Sequence, residues 1–175
     1  ANVVGKIISR NHKYRDEFVI IGAHFDHLGY GGPGSGSLKP DTNAVHNGAN
    51  DNASGTAGLL ELAHKLQANR KLLKRSILFI AFDAEEKGLL GSKYFVQNPT
   101  INIKNVSAMI NMDMIGKMRD STVIIGGVGT SPVFEPILDS LSIDTGLKFE
   151  YDKAGYGPSD PVSYTHLTLP TTSSV

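Results

Sequence analysis

The sequence predicts an α/β domain on a largely parallel sheet, and three observations carry that prediction. Short β-branched runs alternate with amphipathic stretches, the grammar of strands covered by helices. The strand-like runs are almost continuously apolar, as expected of strands buried on both faces. Acids and imidazoles collect where those runs end, and open α/β sheets bind ligands beyond the carboxyl ends of their strands. The expected architecture is a three-layer αβα sandwich with a mixed, largely parallel sheet.

The elements follow in order. Residues 3–8 read as a first strand, and residues 17–23 (EFVIIGA) as a buried strand ending near glycine. Residues 30–40, dense in Gly, Ser and Pro, read as a loop. Over 54–69, Ala57, Leu59, Leu62, Ala63 and Leu66 fall near helical spacing, with Ser54 as the expected N-cap. Residues 76–82 (SILFIAF) form another buried strand, and 88–97 a short helix. Strands are expected over 106–114 and 122–126. A helix over 132–143 carries Phe134, Ile137, Leu138 and Leu141 on one side, and 148–151 (KFEY) is a short final strand.

Composition narrows the function. The chain has 175 residues, 40% hydrophobic and 19% charged, an ordinary globular balance without repeats or an internal linker. Lys plus Arg (17) equals Asp plus Glu (17), so the electrostatic footprint of a general nucleic-acid binder is missing. No apolar run is long enough for a transmembrane segment. With no cysteine, disulfides, thiol nucleophiles and Cys-ligated metals are excluded. Any transition metal must be held by imidazoles and carboxylates.

Four places offer them. Ile20 and Ile21 run into Gly22-Ala23-His24-Phe25-Asp26-His27, and Phe82 into Asp83-Ala84-Glu85-Glu86. Met112 precedes Asp113, and Asn50-Asp51-Asn52-Ala53-Ser54-Gly55 lies just before the first helix. Each alone is weak: a Glu pair is commonly a solvated turn, and Asp51 could be an Asx turn or a helix cap. Four such sites at strand ends of one short chain are hard to ascribe to solvation, and one imidazole with several carboxylates suits zinc. A carboxylate bridging two cations would let them polarise a carbonyl and activate a shared water. Of two adjacent Glu residues, one can ligate while the other works as a base. Asp26 could accept the second N–H of His24 and fix its tautomer. His27 is open between a cleft wall and a loop role, as is His46; His12 and His64 read as surface residues.

The segments GAHFDHLG, GANDNASGTAGLLELA, FDAEEKGLLGSKYF, NMDMIG and GYGPSD resemble, in order and spacing, the motifs of the co-catalytic di-zinc aminopeptidases. Glutamate carboxypeptidase, glutaminyl cyclase and the transferrin-receptor ectodomain belong to the same family. The resemblance runs from about Asn2 to Asp160. It implies a zinc-exopeptidase-like fold with His24 and Asp113 on one zinc, Glu86 on the other and Asp51 bridging both. Glu85 would be the general base, Asp26 the partner of His24, and Asp51–Asn52 a non-proline cis peptide. The implied activity is release of N-terminal residues from peptide substrates, with two Zn2+ as cofactors. Glutaminyl cyclase chemistry and a non-catalytic receptor domain are the alternatives; Asn52-Ala53-Ser54-Gly55 matches the peptidase form, and the complete acid set argues against a receptor. A secreted or periplasmic location is what the resemblance favours, and oligomeric state is left open.

The family expects a His after Asp160, where this chain has Pro161. The following residues 162–175 (VSYTHLTLPTTSSV) resemble a translated transposase sequencing adaptor, in which GTC TCT TAT ACA CAT CTG ACG CTG CCG ACG reads VSYTHLTLPT. The expected division is therefore residues 1–161 as a partial zinc peptidase catalytic domain, truncated at both ends, and 162–175 as a non-native tail. On that basis His166 is not a ligand. The chain as written is expected to hold one zinc at most and to be impaired.

Overall fold

In a computed structural model, residues 1–165 are described. Residues 166–175, with His166, lie outside them. The elements are β1 (Val3–Ile7), β2 (Phe18–His24), α1 (Gly55–Ala68), β3 (Ser76–Phe82), α2 (Leu90–Gln97) and β4 (Val106–Asn111). After these come β5 (Thr122–Gly126), α3 (Phe134–Ser142), β6 (Lys148–Asp152) and one helical turn, α4 (Val162–Thr165).

The main sheet has the order β1-β3-β2-β4. β2 runs parallel to both β3 and β4, whereas β1 is antiparallel to β3. The chain steps from β2 to β3 in one direction and then crosses back over β2 to reach β4. Crossovers of one hand made in opposite directions put their helices on opposite faces. The two cores agree: Leu59 of α1 packs with Ile21, Ala23, Ile77 and Phe79, while Phe95 of α2 packs with Ile20, Leu78, Ile80 and Phe82. These sets alternate along β2 and β3, and both strands are buried on both faces as their apolar runs predict. The predicted three layers and mixed sheet are what the structure has.

The strands expected over 122–126 and 148–151 are present, and β5 and β6 pair with each other in parallel as a second sheet. α3, between them, packs locally: Tyr151 Oη donates to Asp139 Oδ1 at 2.7 Å, while Ile137 and Leu141 stay exposed. Ser54 does not cap α1 by its side chain, because its own backbone is already helical (φ −64°, ψ −46°) and its Oγ donates to Asn50 O at 2.6 Å.

The reversal β2–β3–β4 creates a switch point at the carboxyl edge of the sheet, the place where open α/β sheets bind ligands. His24 pairs with Phe82 in register, so β2 and β3 end level, while β4 ends at Asn111 opposite Gly22. α4 lies at the back of this edge, where Tyr164 is buried against Phe82 and Phe95. No helix among the described residues is long and apolar enough to cross a membrane.

Candidate metal centre

Each side chain of the candidate site is placed by a strand end or by a backbone device close to one. His24 is the last residue of β2 and is 1% exposed. Its carbonyl accepts from Thr56 Oγ1 at 3.1 Å, which pins α1 to the strand exit. Glu85 and Glu86 follow β3 through Ala84, which sits at φ +55°. Asp113 follows β4, and the next residue, Met114, is also left-handed (φ +55°). Two non-glycine residues in that region, each next to a candidate site residue, mark locally strained backbone of the kind found at functional sites.

Asp51 is delivered by a kinked turn, Ala49–Ser54, in which Asp51 and Asn52 leave helical geometry and the peptide between them is cis. The buried Asn52 side chain locks this turn. Its Oδ1 accepts from Gly55 N at 3.0 Å and Met114 N at 3.1 Å, and its Nδ2 donates to Met112 O at 3.0 Å. Gly55 is needed at this closure: a Cβ there would lie 2.3 Å from Met112 O and 2.4 Å from Asn52 Oδ1.

The six predicted residues converge. His24 Nε2 lies 3.3 Å from Asp51 Oδ1 and 3.5 Å from Asp113 Oδ1. The other Asp51 oxygen, Oδ2, lies 3.8 Å from His27 Nδ1, which is 2.8 Å from Glu86 Oε1. Donor atoms therefore gather in two groups, His24 with Glu85 and Asp113, and His27 with Asp51 and Glu86; within each they all lie within 4.8 Å of one another.

Asp26 behaves differently from expectation. Its carboxylate accepts Glu85 N at 2.9 Å and Glu86 N at 3.2 Å, and stands 3.7 Å from His24 Nδ1. The ring nitrogen instead meets the Asp26 carbonyl oxygen at 3.1 Å. The short reach from β2 presents Asp26 to the β3 loop, so its backbone, not its side chain, contacts the imidazole.

Sequence reasoning missed three contributors. His27 stands in the cluster and was left open between two roles. Asn52 offered no signal beyond its place next to Asp51. Ser159, within the GPSD segment, donates to Asp113 Oδ2 at 2.8 Å and accepts from Asn111 Nδ2 at 3.1 Å, so the returning chain orients Asp113. His46 stays at the rim, edge-on to His27 at 6.0 Å, and His12 and His64 are exposed as expected.

The electrostatics are dominated by carboxylates. Burial pushes Glu85 up to about 7 against the pull of His24, with Asp160, Asp113 and Glu86 adding to the rise. Burial opposes a charge on His24, but the hydrogen bond and charge of Asp113, helped by Glu85 and the Asp26 carbonyl, outweigh it and raise the ring to about 9. The His24 ring in turn holds Asp113 below its ordinary value. Asp160 is fully buried, and burial raises it to about 6 against the opposing influence of the Ser92 hydroxyl and His24. No Lys or Arg pairs with any of these acids among the described residues.

A divalent cation fits this donor set. Donors at 2.0–2.1 Å from a tetrahedral zinc stand roughly 3.3 Å apart. The His24–Asp51 and His24–Asp113 separations lie within 0.2 Å of that spacing. Unneutralised acids interleaved with imidazoles also match the ligand preferences of zinc in a cysteine-free site.

A three-layer α/β sandwich that gathers imidazoles and carboxylates at a sheet switch point is the architecture of metal-dependent hydrolases of the zinc-exopeptidase kind. The chain belongs to Peptidase family M28, whose profile matches residues 2–174. Aminopeptidase YwaD of Bacillus subtilis is 35% identical over 116 residues, which cover 66% of this chain and 22% of that protein. The crystal structure of BSAP, a zinc aminopeptidase from Bacillus subtilis, superposes with a TM-score of 0.67 at 27% identity, covering 94% of this chain and 37% of that one. An Acidobacteriales glutaminyl cyclase shares the fold, with a TM-score of 0.70, 22% identity and 97% and 56% coverage. The chain spans 22% to 28% of the length of three curated relatives it matches and 41% of others.

Proposed function

We propose that the chain is the core of a zinc-dependent aminopeptidase catalytic domain, with peptides as substrates and Glu85 as the general base. The observation that carries this reading is the position of Asp51, whose two oxygens face two separate donor groups while Glu85 stands beside them. Asp51 with His24 and Asp113 would hold one cation, and Asp51 with Glu86 the other. Zinc, when bound, supplies a Lewis acid that polarises the scissile carbonyl and makes water acidic.

The chain's own residues supply the rest. Glu85 accepts a proton from the water as its oxygen bonds to the carbonyl carbon, then delivers that proton to the amine nitrogen as the C–N bond breaks. Asp26 holds the backbone of Glu85 and Glu86 in place through both of its oxygens. Ser159 fixes one oxygen of Asp113 and leaves the other facing His24.

Hydrolysis of leucine p-nitroanilide by the zinc-loaded chain tests the reading. A slow rate is expected, since Pro161 stands where the resemblance places a His. Glu85→Gln should lower kcat by about 100-fold or more, the range for a general base, with zinc content unchanged. Equal rates in the two proteins would exclude Glu85 as the base. Formation of pyroglutamate from an N-terminal glutaminyl peptide, without free amino acid, would assign cyclase chemistry instead.

A further inference from the structure

Asn47-Gly48 is the single Asn-Gly step in the 175-residue chain, and it leads directly into the turn that delivers Asp51. We propose that Asn47 is a site of spontaneous covalent modification, converted to isoaspartate through a cyclic imide, and that the change loosens the Asp51 turn. The modification is independent of the peptidase reading. Its effect on zinc rests on that reading, in which Asp51 is a ligand.

The local structure leaves this step open to the reaction. The Asn47 side chain is exposed and, like the Gly48 N–H, has no hydrogen-bond partner among the described residues. The step lies outside regular secondary structure, between the Tyr30–Val45 bridge and the kinked turn Ala49–Ser54. Gly48 has no Cβ to shield its nitrogen, and its left-handed backbone (φ +65°) suits glycine. Other asparagines are held: Asn52 is buried and bonded through both amide atoms, and Asn11 and Asn102 accept from the amides of Lys13 and Lys104.

The chemistry needs only water. Gly48 N bonds to Asn47 Cγ and gives up its proton as the side-chain nitrogen leaves as ammonia, closing a succinimide ring. Water then opens the ring at one of its two carbonyls. Opening at Cγ gives aspartate. Opening at the main-chain carbonyl gives isoaspartate, in which the peptide bond to Gly48 runs through Cγ. In both, a neutral amide has become a carboxylate and ammonium has been released.

Position makes the change consequential. On one side His46 N donates to Gly29 O at 2.8 Å; on the other Ala53 N donates to Gly48 O at 2.9 Å and closes the turn. Asn47 links these two anchors, and isoaspartate adds one carbon to the main chain between them. Gly48 has little room to absorb the added length: a Cβ on it would lie 3.2 Å from Asp51 O and from His27 Cβ. The displacement therefore passes to the Asp51 turn.

Ageing the metal-free chain in mildly alkaline buffer, followed by peptide mapping and enzymatic methylation of isoaspartyl groups, tests the chemistry. Asn47 should exchange NH2 for OH before any other asparagine, and the product should be methylated. Asn47→Ser, which removes the reacting amide from an exposed side chain, should stay unmethylated at this position. Titration against a chromophoric zinc chelator should show aged wild type binding about 10-fold more weakly than fresh protein, the lower end of the cost of losing a support behind a metal ligand. Aged and fresh Asn47→Ser should bind alike. Asn47→Asp, which adds the charge without the extra carbon, should bind no more weakly than fresh wild type.

An Asn47 that stays intact while a free peptide of residues 45–49 is converted would overturn the modification. Conversion with zinc affinity unchanged would overturn its link to the Asp51 turn. Fresh wild type that binds no zinc while Asn47 converts would uphold the modification and sink the peptidase reading, along with the effect on zinc.

Discussion

Asp26 acts on its neighbours through hydrogen bonds that reach another strand. It leaves β2 yet receives two amide donors from the loop after β3, so one carboxylate sets where both Glu85 and Glu86 stand. Charge-assisted bonds to a partly buried acid are each worth more than a neutral pair. Asp26→Ala should therefore destabilise the chain by about 2 kcal/mol in urea unfolding, since both amides lose their acceptor. Zinc affinity should fall about 10- to 100-fold, because the carboxylates that meet the metal lose their support. Unchanged affinity with lowered stability would mean that the Glu pair holds its position without Asp26. Ser159→Ala is milder. It removes one hydroxyl donor from Asp113 and should cost about 1 kcal/mol.

Between elements, the closure of the Asp51 turn on the exit of β4 is the tightest contact of the site. Gly55 begins α1 with no room for a side chain, because Met112 O and the Asn52 amide occupy the space of its Cβ. Gly55→Ala should cost about 1–3 kcal/mol by overpacking and weaken zinc binding as the turn is pushed off β4. Gly5→Ala on β1, where nothing lies within 4 Å of the added methyl, should stay within about 0.5 kcal/mol of the wild type or stabilise slightly. Equal denaturation midpoints for the two variants would show that the close approach at Gly55 has no energetic consequence.

The same comparison explains what could be read in advance. Buried parallel strands announce themselves by unbroken apolar runs, and a parallel sheet must deliver its functional groups at carboxyl ends. His24, Glu85, Glu86 and Asp113 were legible for that reason. Asn52 was not, since its partners Met112 and Met114 lie 60 and 62 residues further on, beyond any local periodicity. Ser54 misled because a Ser before an apolar helix has the signature of an N-cap, while the kinked turn had already made its backbone helical. β5 and β6 were recognised as strands, but strand propensity carries no information about which sheet they join. His27 remained ambiguous because residues beyond a strand end lose the alternation that decides orientation.

At the scale of the molecule, a formal charge of zero conceals strong local imbalance. Asp26, Asp51, Glu85, Glu86, Asp113 and Asp160 crowd one edge of the sheet, and the imidazoles of His24 and His27 are the only basic side chains paired with them among the described residues. Closely spaced like charges weaken the folded state, and a cation that binds only that state reverses the effect by mass action. Free zinc at 100 times the dissociation constant of one site stabilises by about 2.7 kcal/mol. For a chain of this size each kcal/mol moves the midpoint by about 2–4 °C. Saturating one site should thus raise Tm by about 5–10 °C over the chelator-treated protein, and two sites by about twice that. Magnesium at the same concentration should do much less, because it prefers six oxygens in octahedral array and takes imidazole poorly. Thermal unfolding followed by circular dichroism, with zinc, magnesium or chelator, makes the comparison; a Tm indifferent to zinc would show that the acids are accommodated without a metal.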